Sequence, residues 1–229
     1  MRVVIPSVDY ADMLAVTLPA WQAFLGHQGV IVASTERDTA TAEVVRRCGA
    51  ELYVTDAWMR TDASHTPLRG MPVSFNKGLA LDEAFGFIGP RPQPADGELC
   101  VCLDADVVPF GTWPAEDTFG ATHVDGCQRY RCDAQASLEA HRAGRRPLSR
   151  FPSHKLHPAM AIGYCQVFRW RPGIRFGSWP TAEHYDVRLV EQYAGGRHRP
   201  EWYVLHLGPW VVQANWKRRV VPRWVASPA

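Results

Sequence analysis

Two aspartates separated by one residue follow directly on a strongly apolar run. Residues 98–108 read E-L-C-V-C-L-D-A-D-V-V, which places Asp104 and Asp106 where a buried strand would emerge. Side chains alternate along a strand, so the two carboxylates share one face if the strand continues through them. Two carboxylates so close repel each other unless a cation lies between them. Hard oxygen ligands favour Mg²⁺ or Mn²⁺, and a bound diphosphate would complete the coordination.

The residues before this pair alternate between β-rich runs and helical spacing of apolar side chains. The predicted strands are 2–6, 30–34, 50–55 and 98–108, and the predicted helices are 10–25, 39–48 and 76–87. Pro19 is expected to bend or split the first helix. Strands that alternate with helices predict an α/β fold, with a mostly parallel sheet covered on both faces. Ligands of such sheets bind at the carboxyl ends of the strands.

Length and composition indicate one folded domain. The chain has 229 residues and is 46% hydrophobic, and its second half, from residue 109, is less periodic than residues 1–108. No run reaches the roughly 18 apolar residues of a membrane span. The N-terminus lacks a signal-like apolar run, which favours a cytoplasmic protein without a membrane partner. Free thiols are then expected, and the spacing of Cys127 and Cys132 is only weakly typical of zinc or a disulfide.

Charge is distributed unevenly along the chain. Residues 1–115 hold 8 Lys and Arg against 14 Asp and Glu, whereas residues 116–229 hold 17 against 9. Seven of the nine histidines also lie in the second half. This asymmetry suggests that the first half handles a metal and the second meets an anionic partner. The alternative is a molecular dipole without functional consequence.

The order of elements that ends in L-D-A-D-V-V resembles the nucleotide-binding half of GT-A glycosyltransferases. The resemblance is specific over residues 1–108 and patchy over 159–208. It implies a single GT-A domain, with residues 1–108 binding a nucleotide-sugar and an irregular acceptor half over residues 109–229. In that family the Asp-x-Asp pair holds the cation that bridges the donor's phosphates. The resemblance therefore implies Mn²⁺ or Mg²⁺ at Asp106, with Asp104 as its partner, and a donor of the UDP-sugar type.

Three further segments of the first half resemble donor-binding parts of the family. Pro6 and Ser7 resemble the turn that contacts uridine. Glu36 lies in the loop S-T-E-R-D, which resembles the acidic loop near the nucleoside, although the family often has consecutive aspartates there. Asn76 and Lys77 resemble the start of the Lys-Gly helix beside the donor. A lysine at a helix N-terminus suits a phosphate or a sugar hydroxyl, and the alternative for Lys77 is a solvated helix-start residue.

Two segments of the second half resemble the remainder of the site. Residues 203–208, Y-V-L-H-L-G, resemble the segment whose imidazole completes the metal site, which makes His206 a third ligand; the alternative is a core histidine. T-A-E-H-Y-D before a helical run resembles the segment that supplies the general base. Asp186 is the preferred base and Glu183 the other candidate. The alternative is that these carboxylates are there only because the helix dipole favours a negative charge. Neither would then be the base, and a reaction that retains the configuration of the sugar stays open.

Basic stretches at 129–131, 142–155 and 216–224 are interleaved with aromatic residues. That pattern suits a phosphate backbone with stacked bases, and its alternative is solvated loops and a basic tail. Some viral glycosyltransferases of this type modify hydroxymethylated bases in DNA. A base in DNA is therefore the favoured acceptor, which would place the protein in the host cytoplasm. The rival acceptors are an envelope glycan, a small metabolite and a protein side chain.

Two other classes compete with a glycosyltransferase. A non-catalytic nucleic-acid-binding protein on the same scaffold would bind nucleic acid without consuming a nucleotide-sugar. A nucleotidyltransferase has a similar sheet, but its glycine-rich loop is missing after the first strand, where S-V-D-Y stands.

Overall fold

The computed structural model describes residues 1–26, 29–60, 76–132, 143, 165–178 and 185–207. The strands in this part are β1 (Arg2–Pro6), β2 (Val30–Ser34), β3 (Glu51–Val54), β4 (Leu99–Leu103), β5 (Val107–Gly111), β6 (Val124–Cys132), β7 (Cys165–Arg169) and β8 (Gly196–Leu207). The α-helices are α1 (Ala11–Leu25), α2 (Thr39–Cys48), α3 (Lys77–Phe85) and α4 (Tyr185–Glu191). Single 3-10 turns lie at Ala57–Met59 and Glu116–Thr118.

The strands form one mixed sheet in the order β3-β2-β1-β4-β7-β6-β8-β5. The first four strands of that order run parallel, and β7 pairs with β4 in the antiparallel sense. The parallel part is the β-α-β alternation predicted from residues 1–108, because parallel neighbours need a crossover between them. The predicted α/β class is confirmed.

Apolar side chains cover both faces of the parallel strands. Val3 and Ile5 of β1 point to the face that packs against α1 and α2, where Trp21 of α1 is fully buried. Val4 points to the opposite face, where Phe85 of α3 and Leu189 of α4 are buried. Alternation along a buried strand thus places two helices on each face, as the sequence predicts.

Pro19 lies inside α1, which runs unbroken from Ala11 to Leu25. A proline removes one helical hydrogen bond and crowds the preceding turn. Tertiary contacts of α1 compensate for that loss: Thr17 Oγ1 donates to the carbonyl oxygen of Ala105 at 2.7 Å, and Trp21 Nε1 donates to that of Val107 at 2.9 Å. Pro19 therefore does not split the helix.

The single strand predicted for residues 98–108 is two strands. β4 ends at Leu103, a turn occupies 104–106, and β5 begins at Val107. The chain must turn because the two strands have different partners: β4 lies between β1 and β7, whereas β5 pairs with β8 at the end of the sheet. Asp104 and Asp106 are consequently residues of a turn, and the strand alternation expected between them does not apply.

Helix α3 is clamped to the turn-like segment of residues 176–178 through Asn76 at its start and Asp82 in its second half. Asp82, which is 1% exposed, accepts backbone hydrogen bonds from Phe176 at 2.8 Å and Gly177 at 3.0 Å. Asn76, the N-cap of α3, accepts from the amide of Leu79 and donates to Ser178 Oγ at 2.7 Å. These bonds fix α3 against the segment that precedes α4.

Gly78 lies at the closest approach of α3 to that turn. A Cβ at this position would overlap the carbonyl oxygen of Gly177 and lie 3.2 Å from Tyr185 Cβ. We expect Gly78→Ala to lower the free energy of unfolding by about 1–3 kcal/mol, as overpacking does. Urea unfolding measures this loss, with Gly120→Ala as control, because the nearest atom there is Arg197 Nη2 at 3.5 Å. Equal stabilities of the two variants would contradict the close approach.

Asp82 should make stability depend on pH. Burial raises its pKa to about 7, although the amides of Phe176 and Gly177 oppose the rise. A raised pKa in the folded state means that the contribution of Asp82 is present at low pH and is lost as pH rises from about 4 to about 7. Asp82→Asn cannot ionise and escapes this loss. As pH rises through that window, its free energy of unfolding should therefore increase by up to about 4 kcal/mol relative to that of wild type.

Urea unfolding of wild type and Asp82→Asn at pH 4.5 and pH 8 checks this expectation. The exposed Asp96 offers a matched control as Asp96→Asn. If the stability difference between wild type and Asp82→Asn is the same at both pH values, the carboxyl of Asp82 does not titrate as described.

Candidate functional site

The candidate site lies where neighbouring parallel strands end. β1, β2 and β4 are adjacent, and their last residues are Pro6, Ser34 and Leu103. Residues that follow these strands meet at one edge of the sheet, which is where α/β sheets bind ligands. Ser7 follows β1 at this edge and Asp104 follows β4.

Lys77 and Asp104 form an ion pair at this edge. Lys77 is the first residue of α3, and its Nζ lies 2.5 Å from Asp104 Oδ1. The side chains are 12% and 17% exposed. Burial alone would lower the pKa of the Lys77 ammonium, but attraction by Asp104 and other nearby groups outweighs it and the pKa is raised. The ammonium thus stays charged and fixes Asp104 to the start of α3.

Asp106 pairs with His206 instead. The register of β5 and β8 sets Val107 opposite His206, and the Leu207 amide donates to the backbone oxygen of Asp106 at 2.7 Å. His206 Nε2 consequently lies 3.2 Å from Asp106 Oδ2. Burial would raise the pKa of Asp106, but His206 and then Lys77 favour its ionised form and the pKa is lowered. Asp106 is therefore a buried carboxylate in contact with an imidazole.

Asp186 lies in the first turn of α4 and is 5% exposed. Its Oδ1 accepts from the amide of Val187 at 2.8 Å, and Gln166 of β7 donates to its backbone oxygen at 3.1 Å. Burial raises the pKa of Asp186 to about 6, while the Val187 amide and Lys77 oppose the rise. A carboxyl group with that pKa can take up a proton near neutral pH.

Tyr185, the neighbour of Asp186, was not singled out from the sequence. Its ring lies under the Lys77 ammonium, with Nζ 4.6 Å from the ring centroid. Burial and then the charge of Asp104 raise the pKa of the Tyr185 phenol well above its usual value, so the phenol keeps its proton. The sequence singled out the segment T-A-E-H-Y-D that contains it but not the tyrosine itself. Its contact with Lys77 joins residues far apart in the chain, which no local pattern reveals.

Asp38 organises the edge near β1 and β2. It is the N-cap of α2, and its Oδ1 accepts from the Thr41 amide at 3.0 Å. Its Oδ2 accepts from the amide of Asp9 at 2.8 Å, and Asp9 has a φ of 60°. The carboxylate thereby ties the turn after β1 to the turn after β2.

Two residues expected near the nucleoside differ in exposure. Ser7 is buried, and its amide donates to Ala33 at 2.9 Å, whereas Glu36 is exposed. Thr35, which precedes Glu36, has a buried hydroxyl with no hydrogen-bond partner among the described residues. The Thr35 hydroxyl is thus a polar group of this loop that the described residues leave unpaired.

The structure brings two of the expected metal ligands into contact and pairs the third with a lysine. Asp106 contacts His206 and Asp104 contacts Lys77. Across the described ranges, no three His, Cys, Asp or Glu side chains converge as a metal-binding group. Glu183, the second candidate base, lies outside the described residues. The predicted roles of these side chains stay predictions.

In the described part of the chain, no helix combines the length and the apolar character needed to cross a membrane.

Comparison with known proteins gives matches among solved structures alone. No protein-family model matches the sequence, and no curated protein matches it. The chain is similar to glucosyl-3-phosphoglycerate synthase from Mycobacterium tuberculosis, solved with Mn²⁺, UDP-glucose and phosphoglyceric acid. The TM-score is 0.51 at 12% identity, and the match covers 100% of this chain and 80% of that one.

Two more solved structures are similar. A mycobacterial protein has a TM-score of 0.50 at 14% identity, with 93% of this chain and 68% of that chain covered. Mannosyl-3-phosphoglycerate synthase from Rubrobacter xylanophilus has a TM-score of 0.40 at 15% identity, with 73% and 52% covered. At these identities a structural likeness establishes the fold. The mixed sheet and the first two of these similarities show that the chain has the α/β GT-A fold.

Proposed function

We propose that this chain is a cation-dependent glycosyltransferase that moves a sugar from a nucleotide-sugar, of the UDP-sugar type, to an acceptor hydroxyl. The observation that carries the proposal is the cluster of buried and partly buried ionisable groups at the carboxyl edge of the sheet, where Lys77, Asp104, Asp106, Asp186 and His206 lie. The similar synthase from M. tuberculosis binds Mn²⁺ and UDP-glucose, which supports this reading of the edge.

The donor set at Asp106 and His206 fits a divalent cation. One buried carboxylate and one imidazole already lie 3.2 Å apart, and the lowered pKa of Asp106 keeps its oxygens available. Carboxylate and imidazole ligands together suit Mn²⁺ better than Mg²⁺, which prefers oxygen alone. When bound, the cation would neutralise charge on the leaving diphosphate. Asp104, held by Lys77, is the partner carboxylate of this site and a candidate contact for the ribose.

Lys77 supplies a positive charge that does not depend on a bound cation. It begins α3, where the free amides and the helix dipole also favour an anion. Asn76 caps this helix and is fully buried, so the backbone of Lys77 is held in place by its neighbour. We assign Lys77 to the donor's phosphates or sugar hydroxyls. The nucleoside would contact Pro6, Ser7 and the exposed Glu36, and the buried hydroxyl of Thr35 would be a further polar contact for it.

Asp186 is the proposed general base. It must take the proton of the acceptor hydroxyl as that oxygen attacks the anomeric carbon. A pKa of about 6 leaves it mostly ionised at neutral pH and still basic enough for this step. Glu183 is the alternative base.

A hydroxymethylated base in DNA is the proposed acceptor, on the strength of the basic stretches. Of these, residues 129–131 lie on β6, where Arg131 is in register with His206. The other two stretches, 142–155 and 216–224, fall outside the described residues apart from residue 143. A small anionic acceptor is the rival, because the similar synthase was solved with phosphoglyceric acid.

A screen of nucleotide-sugars with Mn²⁺ tests the function. Release of nucleoside diphosphate is measured alone, with hydroxymethylated duplex DNA and with phosphoglyceric acid. Stimulation by DNA identifies the nucleic-acid acceptor, and stimulation by phosphoglyceric acid identifies the small one. Salt-sensitive DNA binding without any nucleotide release would instead indicate a non-catalytic DNA-binding protein.

Asp106→Ala should abolish turnover. Removal of a cation ligand withdraws several kcal/mol of charge stabilisation, so nucleotide release should fall at least about 100-fold. Mn²⁺-dependent binding of UDP, measured by calorimetry, should be lost with it. Asp117→Ala, at an exposed carboxylate, is the control. Full activity of the Asp106 variant would remove this residue from the site.

The rate should depend on the ionisation of Asp186. Because its pKa is raised to about 6, kcat/KM should rise with pH through about 6 and level off above it. Asp186→Asn should lower turnover about 10²–10⁴-fold, with little loss of donor binding, and should remove this limb of the profile. A larger loss in Glu183→Gln, with Asp186→Asn near wild type, would assign the base to Glu183.

A further inference from the structure

Lys77 is held on two sides by different chemistry. Asp104 Oδ1 lies 2.5 Å from its Nζ, and the centroid of the Tyr185 ring lies 4.6 Å from the same atom. The aromatic face is the negative part of the ring quadrupole and attracts a cation within about 6 Å. The ammonium therefore lies between a carboxylate and an aromatic face.

The surroundings of Tyr185 favour this position of its ring. Gly78 follows Lys77 in α3, and a Cβ there would lie 3.2 Å from Tyr185 Cβ, so glycine lets α3 lie close to the start of α4. The Phe176 ring packs against Tyr185 with 5.8 Å between centroids. Tyr185 is 4% exposed, and its ring contacts join α3, α4 and the 176–178 turn.

Such a contact limits the freedom of the lysine. A lysine side chain has many rotamers, and a binding site must overcome the entropy of ordering it if the side chain is mobile before the ligand arrives. An ammonium already confined between Asp104 and Tyr185 avoids most of that cost. The cation–π contact adds to this confinement, because the ammonium is largely removed from water.

We propose that Tyr185 is a positioning residue of the donor site, whose aromatic face holds the Lys77 ammonium where it meets the anionic group of a nucleoside diphosphate. This inference rests on the proposed function. It assigns Tyr185 no contact with the reacting atoms, and it requires the ring but not the phenol oxygen.

A double-mutant cycle in the full chain tests it. UDP binding with Mn²⁺ is measured by calorimetry for wild type, Tyr185→Leu, Lys77→Met and the double variant, and for Tyr185→Phe. Tyr185→Leu should weaken UDP binding about 5–30-fold, the range that loss of 1–2 kcal/mol gives. Tyr185→Phe keeps the face and should stay within about twofold of wild type. In the Lys77→Met background, Tyr185→Leu should change little.

An equal loss in both backgrounds would overturn the inference, because a purely structural tyrosine acts without the lysine. A loss in Tyr185→Phe equal to that in Tyr185→Leu would assign the role to the hydroxyl and overturn it too. Tyr185→Met keeps the volume without a ring and replaces Tyr185→Leu if that variant does not fold.

The same cycle, measured by urea unfolding without nucleotide, separates this inference from the proposed function. Coupling between Tyr185 and Lys77 in unfolding, together with non-additive UDP binding, supports the inference. Absence of coupling in unfolding overturns the contact itself. If wild type binds no nucleoside diphosphate, the proposed function fails, and the donor role of Tyr185 fails with it even where the unfolding cycle shows coupling.

Discussion

Two buried carboxylates, those of Asp106 and Asp186, and the partly buried carboxylate of Asp104 lie at one edge of the sheet. Like charges in a low-dielectric setting repel, and they persist only where cations or donors compensate them. Lys77 compensates Asp104, and His206 lies against Asp106. Each partner comes from a different element, so α3 and β8 must be correctly placed before this edge is stable.

The mixed sheet meets that requirement. Parallel strands β1, β2 and β4 bring their carboxyl ends together, and β7, antiparallel to β4, brings Gln166 under the start of α4. The turn over residues 104–106 then sends its two aspartates to separate partners. A continuous strand would have held both carboxylates side by side. The observed turn separates them: Asp104 contacts the Lys77 ammonium and Asp106 contacts the His206 imidazole, which leaves Asp106 and His206 as the proposed ligand pair.

Local patterns were enough to predict much of this arrangement. Alternating β-rich and helical runs predict the parallel strands, and Asp38 and Asn76 have the residue types of helix caps and occupy those positions. The turn after Leu103 was missed because strand pairing, a non-local property, decides where β4 ends. The contact of Tyr185 with Lys77 was missed for the same reason. Pro19 is tolerated through hydrogen bonds to residues 105 and 107, which no window around it contains.

His206 reaches the edge from β8, about a hundred residues after Asp106 in the chain. In the described sheet, β8 is also the strand that pairs with β5, and the Leu207 amide bonds to Asp106. Proteins emerge from the ribosome N-terminus first. The nascent chain can therefore fold its parallel strands early, yet the imidazole arrives only after residue 206 has been translated. A ribosome-bound fragment that ends before residue 206 would carry the aspartates without the imidazole, so the proposed cation site can form only after β8 has been synthesised.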